Sequence, residues 1–354
     1  MILPALVLMA VRIQPDAPAV EYRQPQLAAG NGMVAMTYGA GKSIYFAASK
    51  DNGRTFAPAV TVASEGVLAL GRHRGPRVTI LPQSIVITAV AGKSAAEGAH
   101  AHGLPADGDL RVWRSTDKGK TWTAAGIITD VPGAAREGLH AIAADRKGNL
   151  FAAWLDLRAK GTRLYGSRSL DGGLTWSKNV LVYESPDGTI CQCCHPSIAF
   201  DRQGRISVMW RNVLQGSRDL YFSTSEDGQT FAKAQRMGNG TWQLNACPMD
   251  GGALAVDDAG LVSVWRRDGE IFLARPGQPE TVLGKGKDVA LAVGKKGLYT
   301  AWSGPDGIQV RLPGANASVP LHREGAFVNL LALPNGSVLA AWEHQGSLTV
   351  EPLP

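Results

Sequence analysis

The chain lacks the signals of membrane, helical and nucleic-acid-binding proteins. Beyond the N-terminus, none of its 354 residues lie in a run that approaches the roughly 20 apolar residues of a membrane-spanning helix. No long segment repeats its apolar residues with a helical period. No run of Lys and Arg is interleaved with aromatic residues. We therefore expect no transmembrane segment and no nucleic-acid partner, and the net charge of +6 favours a small anionic ligand instead.

Cysteine is scarce, with four residues, whereas glycine (42) and proline (20) are abundant and spread along the whole chain. Turn-forming residues at this density are typical of many short strands joined by turns. Hydrophobic residues make up 45% of the chain, which is enough for a large core. The composition therefore predicts a single all-β domain.

The N-terminus resembles an export signal without its basic residues. Residues 1–10 are mostly apolar, and an A-x-A cleavage pattern follows at residues 17–19. We assign residues 1–19 to a leader segment and residues 20–354 to the folded domain, with an ordinary apolar first strand as the alternative to a leader. A secreted or periplasmic monomer is the expectation.

Four short segments share the pattern S-x-D-x-G-x-T-W/F, the last of them in a degenerate form. The Ser and Asp side chains can bond amides of a tight turn, the Gly adopts a positive φ, and the aromatic residue packs under the turn. A fixed motif at intervals of roughly fifty residues indicates a repeat architecture. The four segments begin at Ser49, Ser115, Ser169 and Thr224.

These segments resemble the Asp boxes, or BNR repeats, of sialidase-like β-propellers, and the resemblance extends over most of the chain. A second repeat continues where the Asp boxes stop, because strands end in Trp at regular places. Tyr38 holds the same place in the first unit, and all of these aromatic residues are expected in the core. The tryptophans are Trp154, Trp210, Trp265, Trp302 and Trp342.

Counting strand–turn–strand units predicts a propeller of seven blades, with six, the number in true sialidases, as the alternative. The seventh unit lacks an outer fourth strand, which residues 17–22 could supply to close the ring. The units begin near Pro25, Pro76, His140, His195, Cys247, Asp288 and Phe327.

Antiparallel order places chemistry-bearing residues on one face. The loops before the innermost strands and after the second strands share one rim, here called the loop rim, and the Asp boxes lie on the opposite rim. All four cysteines and five of the seven histidines are expected on the loop rim. The loops there also carry an insertion, residues 91–109, that contains His100 and His102. Sites in propellers form where such loops converge, so the loop rim is the predicted functional face.

The cysteines allow two interpretations. In an exported protein they could form two disulfides, although the adjacent Cys193 and Cys194 cannot pair without strain and Cys247 can bridge only one partner. Alternatively, thiolate and imidazole groups could bind copper or zinc. A disulfide from Cys247 together with a metal on the remaining groups is also open. The candidate ligands are Cys191, Cys193, Cys194, His195, Cys247, His100, His102 and His140.

The sialidase resemblance implies catalytic residues, which this sequence matches in part. Tyr22-Arg23-Gln-Pro25 fits the first arginine motif of the family, and Arg211 resembles a second triad arginine. Asp107 or Asp109 could be the acid/base residue. The expected Glu is replaced near its place by His195, and no convincing nucleophilic Tyr follows, since Tyr299 lies in an apolar strand.

The sequence therefore predicts a sialidase-like propeller whose basic, Cys/His-rich rim binds an anionic ligand and a soft metal ion. Arginine suits such a ligand because guanidinium pairs bidentately with carboxylate. A divergent exo-sialidase or other glycoside hydrolase is one alternative, and a disulfide-braced module that binds carbohydrate or protein is another. The predicted ligand-binding arginines are Arg74, Arg77, Arg158 and Arg266.

Overall fold

A computed structural model describes residues 10–15, 20–97 and 103–354. Its regular secondary structure is entirely β, and no helix in the described part of the chain could cross a membrane. The strands are β1 (Val11–Ile13), β2 (Arg23–Gly30), β3 (Met33–Ala40), β4 (Ser43–Ser49), β5 (Val60–Ser64), β6 (Val67–Leu68), β7 (Arg77–Ile80), β8 (Ile85–Gly92), β9 (Asp109–Ser115), β10 (Thr123–Ile127), β11 (His140–Ala144), β12 (Leu150–Asp156), β13 (Arg163–Ser169), β14 (Val180–Tyr183), β15 (Ser197–Phe200), β16 (Ile206–Arg211), β17 (Leu220–Ser225), β18 (Gln235–Met237), β19 (Gly252–Asp257), β20 (Gly260–Arg267), β21 (Glu270–Ala274), β22 (Thr281–Lys285), β23 (Lys287–Gly294), β24 (Gly297–Gly304), β25 (Gly307–Arg311), β26 (Val319–His322), β27 (Ala326–Ala332), β28 (Val338–His344) and β29 (Ser347–Pro352).

The strands form seven antiparallel sheets, and each sheet is one blade of a propeller. The innermost strand of each blade contacts the innermost strands of its neighbours, so that β2, β7, β11, β15, β19, β23 and β27 surround a central channel. The second blade carries an extra short strand, β6, which shares the edge of β8 with β7. Seven blades are confirmed, with the predicted starting points, and the six-blade alternative is wrong.

The N-terminal segment closes the ring, as predicted, but with different residues. Strand β1 pairs with β29, Val11 opposite Val350 and Ile13 opposite Leu348, and becomes the outer strand of the seventh blade. The prediction of residues 17–22 was therefore wrong in position, because β1 rather than that segment pairs with β29. Residues 1–9 and 16–19, with the cleavage pattern, lie outside the described residues, so the leader and export stay predictions.

Aromatic residues at the ends of the second strands form much of the core, as predicted. The five tryptophans and Tyr38 are at most 2% exposed. The second strands are apolar almost throughout because both faces of a blade pack against neighbouring blades. Tyr299 is also buried and donates its hydroxyl to the main-chain oxygen of Pro354, so it is a core residue.

The Asp boxes fold as the motif predicts. In the first box, Gly53 donates its N–H to Ser49 Oγ (2.8 Å), and Thr55 donates to both oxygens of Asp51. Gly53 has φ of 82°, a left-handed value that favours glycine at this position. The second and third boxes repeat these bonds from Ser115 and Ser169.

The fourth box is shifted by one residue from its predicted position. Gly228 donates to Ser225 Oγ (2.8 Å), and Asp227 accepts from Ser225 and Thr230, so Ser225 and Asp227 replace the predicted Thr224 and Glu226. The box is one residue shorter than the others. When the motif is aligned on the glycine and the aromatic residue, it places the serine position one residue too early, at Thr224 instead of Ser225.

Candidate functional site

The loop rim opens into a cavity of about 240 Å³ in the central channel. Every innermost strand, or the loop just before it, contributes to the lining. Among the described residues this lining contains histidine, arginine and amide side chains but no Asp or Glu. The polar lining residues are Gln24, Gln26, His73, Arg77, His140, His195, Ser197 and Asn329.

A short, closed turn positions His73 at the cavity. Gly71 and Arg74 bond each other's main chain at 3.0 Å in both directions, and His73 between them has φ of 67°. Arg77 donates Nη2–H to the His73 carbonyl oxygen (2.5 Å). Left-handed non-glycine residues are uncommon and concentrate at functional sites, so the turn is consistent with a specific role for this imidazole.

Two buried carboxylates lie next to His73. Its Nε2 is 2.8 Å from Asp288 Oδ1, and Asp250 Oδ2 accepts the main-chain N–H of Asp288 at 3.0 Å. Asp250 and Asp288 are 1% and 4% exposed. Burial, reinforced by the neighbouring Asp288 charge, raises the pKa of Asp250.

The other two histidines of the cavity are held in neutral form. Burial lowers the pKa of His140 to about 3, and its Nε2 lies 3.0 Å from Thr88 Oγ1. Burial lowers the pKa of His195 well below its usual range, and the neighbouring His73 lowers it further. His195 Nδ1 accepts the Gly251 N–H, and its ring centroid is 4.4 Å from that of His73.

Arg77 is the cation of the cavity. Burial lowers its pKa to about 10, which leaves it protonated at neutral pH. It bonds the carbonyl oxygens of His73, Gly75 and Pro76 through Nη1 and Nη2. Guanidinium carries five N–H donors, so donors remain for a ligand.

The four cysteines lie together on the loop rim, as predicted, in the loops before β15 and β19. Cys193 is bonded to Cys247, while Cys191 and Cys194 are thiols whose sulfurs are 2.7 Å apart. Arg218 Nη1 lies 3.5 Å from Cys191 Sγ, and its charge opposes a cation there. Among the described residues, the sulfurs of Cys191, Cys193 and Cys194 lie within 4.8 Å of one another, and no nitrogen of His195 belongs to this group. Soft-metal binding by the two thiols stays a prediction.

The residues predicted from the sialidase resemblance have separate structural partners. Four donor contacts of Arg211 go to the main-chain oxygens of residues 218, 250, 251 and 266, and its side chain is buried. Arg23 is paired with Glu343 and Glu21. Neither arginine lines the cavity, so the structure does not bring them together around one ligand there.

The two candidate acid/base residues also stabilise loops. Asp107 accepts the N–H groups of Lys93 and Ser94, which lowers its pKa and anchors the insertion. Asp109 is buried and accepts from the Thr129 hydroxyl and the Gly133 N–H. Neither faces the cavity of the central channel.

Of the four predicted ligand-binding arginines, Arg77 alone lines the cavity. Arg74 donates to the Glu137 carbonyl oxygen and is buried. Arg158 is paired with Asp156 and Asp130. Arg266 stacks over the Trp242 ring at 5.5 Å. Each of these three braces loops of the rim.

The histidine distribution differs from the prediction. His100 and His102 lie outside the described residues. His322 and His344, the two histidines not expected on the loop rim, end β26 and β28 and so reach that rim. Their rings are 4.8 Å apart, and His344 is paired with Glu324. His344 borders a depression beside Arg23, which adjoins the channel cavity at Phe327.

A larger cavity, about 690 Å³, lies at the Asp-box rim. It is formed by the hairpin turns between first and second strands, and it contains equal numbers of basic and acidic side chains. Asp145 and Asp201 bond amides of their own turns, and Asp257 is paired with Arg275. Because the acidic and basic side chains of this cavity balance each other within the turns, the cavity attracts an anion less than the loop rim does.

Sequence analysis missed the roles of Asp250 and Asp288. Asp250 lies two residues before β19 and Asp288 is the second residue of β23, so both stand at the start of apolar innermost strands, where an acidic residue is unexpected. That position was the only signal, because the left-handed φ of Met249 (57°) and Asp288 (55°) cannot be read from sequence.

This channel, ringed by seven antiparallel blades of which four carry Asp-box turns, defines a seven-bladed β-propeller of the sialidase-like class. The BNR repeat-like domain family matches residues 90–307, more than half of the chain. The chain therefore belongs to the BNR repeat-like family. A search of the curated proteins finds no match.

Solved structures with this fold include carbohydrate-active enzymes. A Penicillium chrysogenum alpha-L-arabinanase complexed with arabinobiose is 14% identical with a TM-score of 0.59, covering 98% of both chains. An ulvan lyase bound to a GlcA(1-4)Rha3S fragment is 13% identical with a TM-score of 0.57, covering 96% of this chain and 95% of the lyase. The Ruminococcus gnavus intramolecular trans-sialidase is 13% identical with a TM-score of 0.55, covering 94% of each. At these identities the likeness shows the fold alone.

Proposed function

We propose that this propeller binds an acidic saccharide, through its carboxylate, at the loop-rim mouth of the central channel. The observation that carries the proposal is the lining of the cavity: a partly buried arginine and three histidines with no carboxyl group among the described lining residues. A partly buried guanidinium attracts an anion more strongly than an exposed one, because less water screens it. The half-buried amides of Gln26 and Asn329 suit sugar hydroxyls.

The same lining favours β-elimination over hydrolysis as the chemistry of cleavage. Most glycosidases need two carboxyl groups beside the scissile bond, and this cavity offers none in its described lining. In elimination a base removes the proton next to the carboxylate, the glycosidic C–O bond breaks, and the leaving oxygen is protonated. A neutral imidazole can take this proton and return it to the leaving oxygen, while an arginine holds the carboxylate, and an ulvan lyase has the same fold.

Isothermal titration with a glucuronate-containing oligosaccharide tests the proposal. The matched ligand is its methyl ester, which keeps the size and hydroxyl groups but loses the charge. We expect the ester to bind about tenfold more weakly or worse, because a charge-assisted hydrogen bond is lost. Arg77→Gln should weaken the acid and leave the ester nearly unchanged. Ultraviolet absorbance of an unsaturated uronate product tests for elimination.

The control variant is Arg202→Gln, at an exposed arginine of the Asp-box rim. It should bind both ligands as the wild type does. Equal affinity for acid and ester would contradict the proposal, and so would loss of acid binding in Arg202→Gln. Reducing ends without an unsaturated product would overturn the elimination chemistry while leaving acid binding intact.

A further inference from the structure

His73, Asp250 and Asp288 form a compact group of possible metal ligands beside the cavity. One ligand atom from each lies within 4.8 Å of the other two. The 2.8 Å separation of His73 Nε2 and Asp288 Oδ1 also suits two ligands of one ion. Ligand atoms about 2.0–2.2 Å from a zinc ion lie roughly 3 Å from each other.

Each carboxylate has an oxygen without a hydrogen-bond partner. Asp250 Oδ1 and Asp288 Oδ2 are buried and accept no hydrogen bond from the described residues. Buried carboxylate oxygens are normally satisfied, since leaving one unpaired costs free energy. Two such oxygens in adjacent side chains therefore indicate a partner that is not a protein donor.

The charges of the group point the same way. Two neighbouring buried carboxylates face a single imidazole, and Arg211 donates to the main-chain oxygen of Asp250 rather than to its carboxylate. A divalent cation would neutralise both carboxylates and remove their mutual repulsion. The thiols of Cys191 and Cys194, by contrast, lie beside a guanidinium, and two disulfide-bonded sulfurs have left the ligand set.

We infer that His73, Asp250 and Asp288 bind a divalent transition-metal ion of the zinc type at the loop-rim mouth of the channel. One nitrogen and two oxygens suit zinc or manganese better than copper(I), which prefers sulfur. Three protein ligands leave a coordination position for water or substrate. The site lies beside the saccharide cavity because His73 lines it, but the inference does not depend on saccharide binding.

Metal analysis of the intact protein tests the inference. Protein purified without reductant, treated with EDTA, loaded with Zn²⁺ and dialysed should hold about one zinc per chain. Zinc should raise the melting temperature, because it binds the folded state. Asp250→Asn and Asp288→Asn should each lower zinc affinity at least roughly tenfold. In EDTA they should melt at or above the wild-type temperature, since each removes one of two repelling charges.

Two controls separate this site from the alternatives. The Cys191→Ser/Cys194→Ser double variant should keep its zinc, and Co²⁺ in the wild-type protein should show no thiolate charge-transfer band. Asp258→Asn, at an exposed carboxylate of the opposite rim, should behave as the wild type. A thiolate band, or zinc lost with the two serines, would overturn the inference. Identical melting with zinc and with EDTA in the wild type would overturn it too.

Discussion

The imidazole of His140 is buried at the start of β11, where the Thr88 hydroxyl is its one side-chain hydrogen-bond partner and Nδ1 has none in the described residues. Burial lowers its pKa to about 3, and a nearby positive charge on Arg77 adds to the effect. In the unfolded chain the same imidazole has a pKa of about 6.5. Between these two pH values the unfolded chain therefore binds a proton that the folded chain does not.

Acid should consequently destabilise the protein through His140. The free energy of unfolding should fall as the pH drops from about 6.5, by up to about 1.4 kcal/mol per pH unit from this residue. His140→Gln removes the titrating group, so its stability should depend less on pH between 6.5 and 4. Urea unfolding at several pH values measures this slope. His322→Gln serves as the control, and equal slopes for His140→Gln and the wild type would contradict the account.

Cys191 and Cys194 give a second prediction at this scale. A hydrogen bond from Cys194, with the charges of Arg211 and Arg218, lowers the pKa of Cys191. Cys194→Ala removes the hydrogen-bond donor and should raise that pKa, whereas Cys194→Ser keeps a donor and should leave it low. Ultraviolet absorbance of the thiolate against pH measures the change. Mass spectrometry should find the Cys193–Cys247 bond and two thiols, and a second disulfide would contradict this account.

Single residues show where sequence reasoning stops. The grouping of the cysteines followed from strand order, because successive blades place their loops side by side. The structural role of Arg211 could not be predicted in this way, because nothing in the sequence shows that its guanidinium donates to four main-chain oxygens. Asp250 and Asp288 meet because the innermost strands of adjacent blades, β19 and β23, begin side by side.

The Asp-box turn is the element whose sequence and structure can be compared most directly. The serine hydroxyl accepts the glycine N–H in all four boxes, and the Asp carboxylate accepts N–H groups later in the turn. In the first box the Thr55 hydroxyl and other donors lower the pKa of Asp51 to about 2. The turn is therefore specified by local bonds, which is why three of the four boxes could be placed from the motif alone.

The shifted fourth box gives a prediction that discriminates between two adjacent residues. Ser225→Ala should destabilise the protein by about 1 kcal/mol, because the buried N–H of Gly228 loses its acceptor. Thr224→Ala should have a smaller effect, since the described bond of Thr224 to the turn uses its main-chain oxygen. Chemical denaturation of both variants provides the measurement. If Thr224→Ala destabilised the protein more than Ser225→Ala, the result would contradict the shifted box and support the one predicted from sequence.

At the scale of the whole molecule, the number of blades was predictable but the closure of the ring was only partly so. Counting strand–turn–strand units gave seven blades, and six of their second strands carry an aromatic residue. An unpaired edge on the last blade also required some N-terminal segment to cover it. Which segment would do so depended on pairing with β29, and the short strand β1 carries little periodicity from which to choose it.

The position of the ligand on this ring is the central claim, and a crystal structure with a glucuronate-containing oligosaccharide tests it most directly. The channel has two mouths, and a third depression lies beside Arg23. The account predicts the saccharide at the loop-rim mouth, with its carboxylate within hydrogen-bonding distance of the Arg77 guanidinium. A saccharide bound at the Asp-box rim, or beside Arg23 and Glu343, would contradict it.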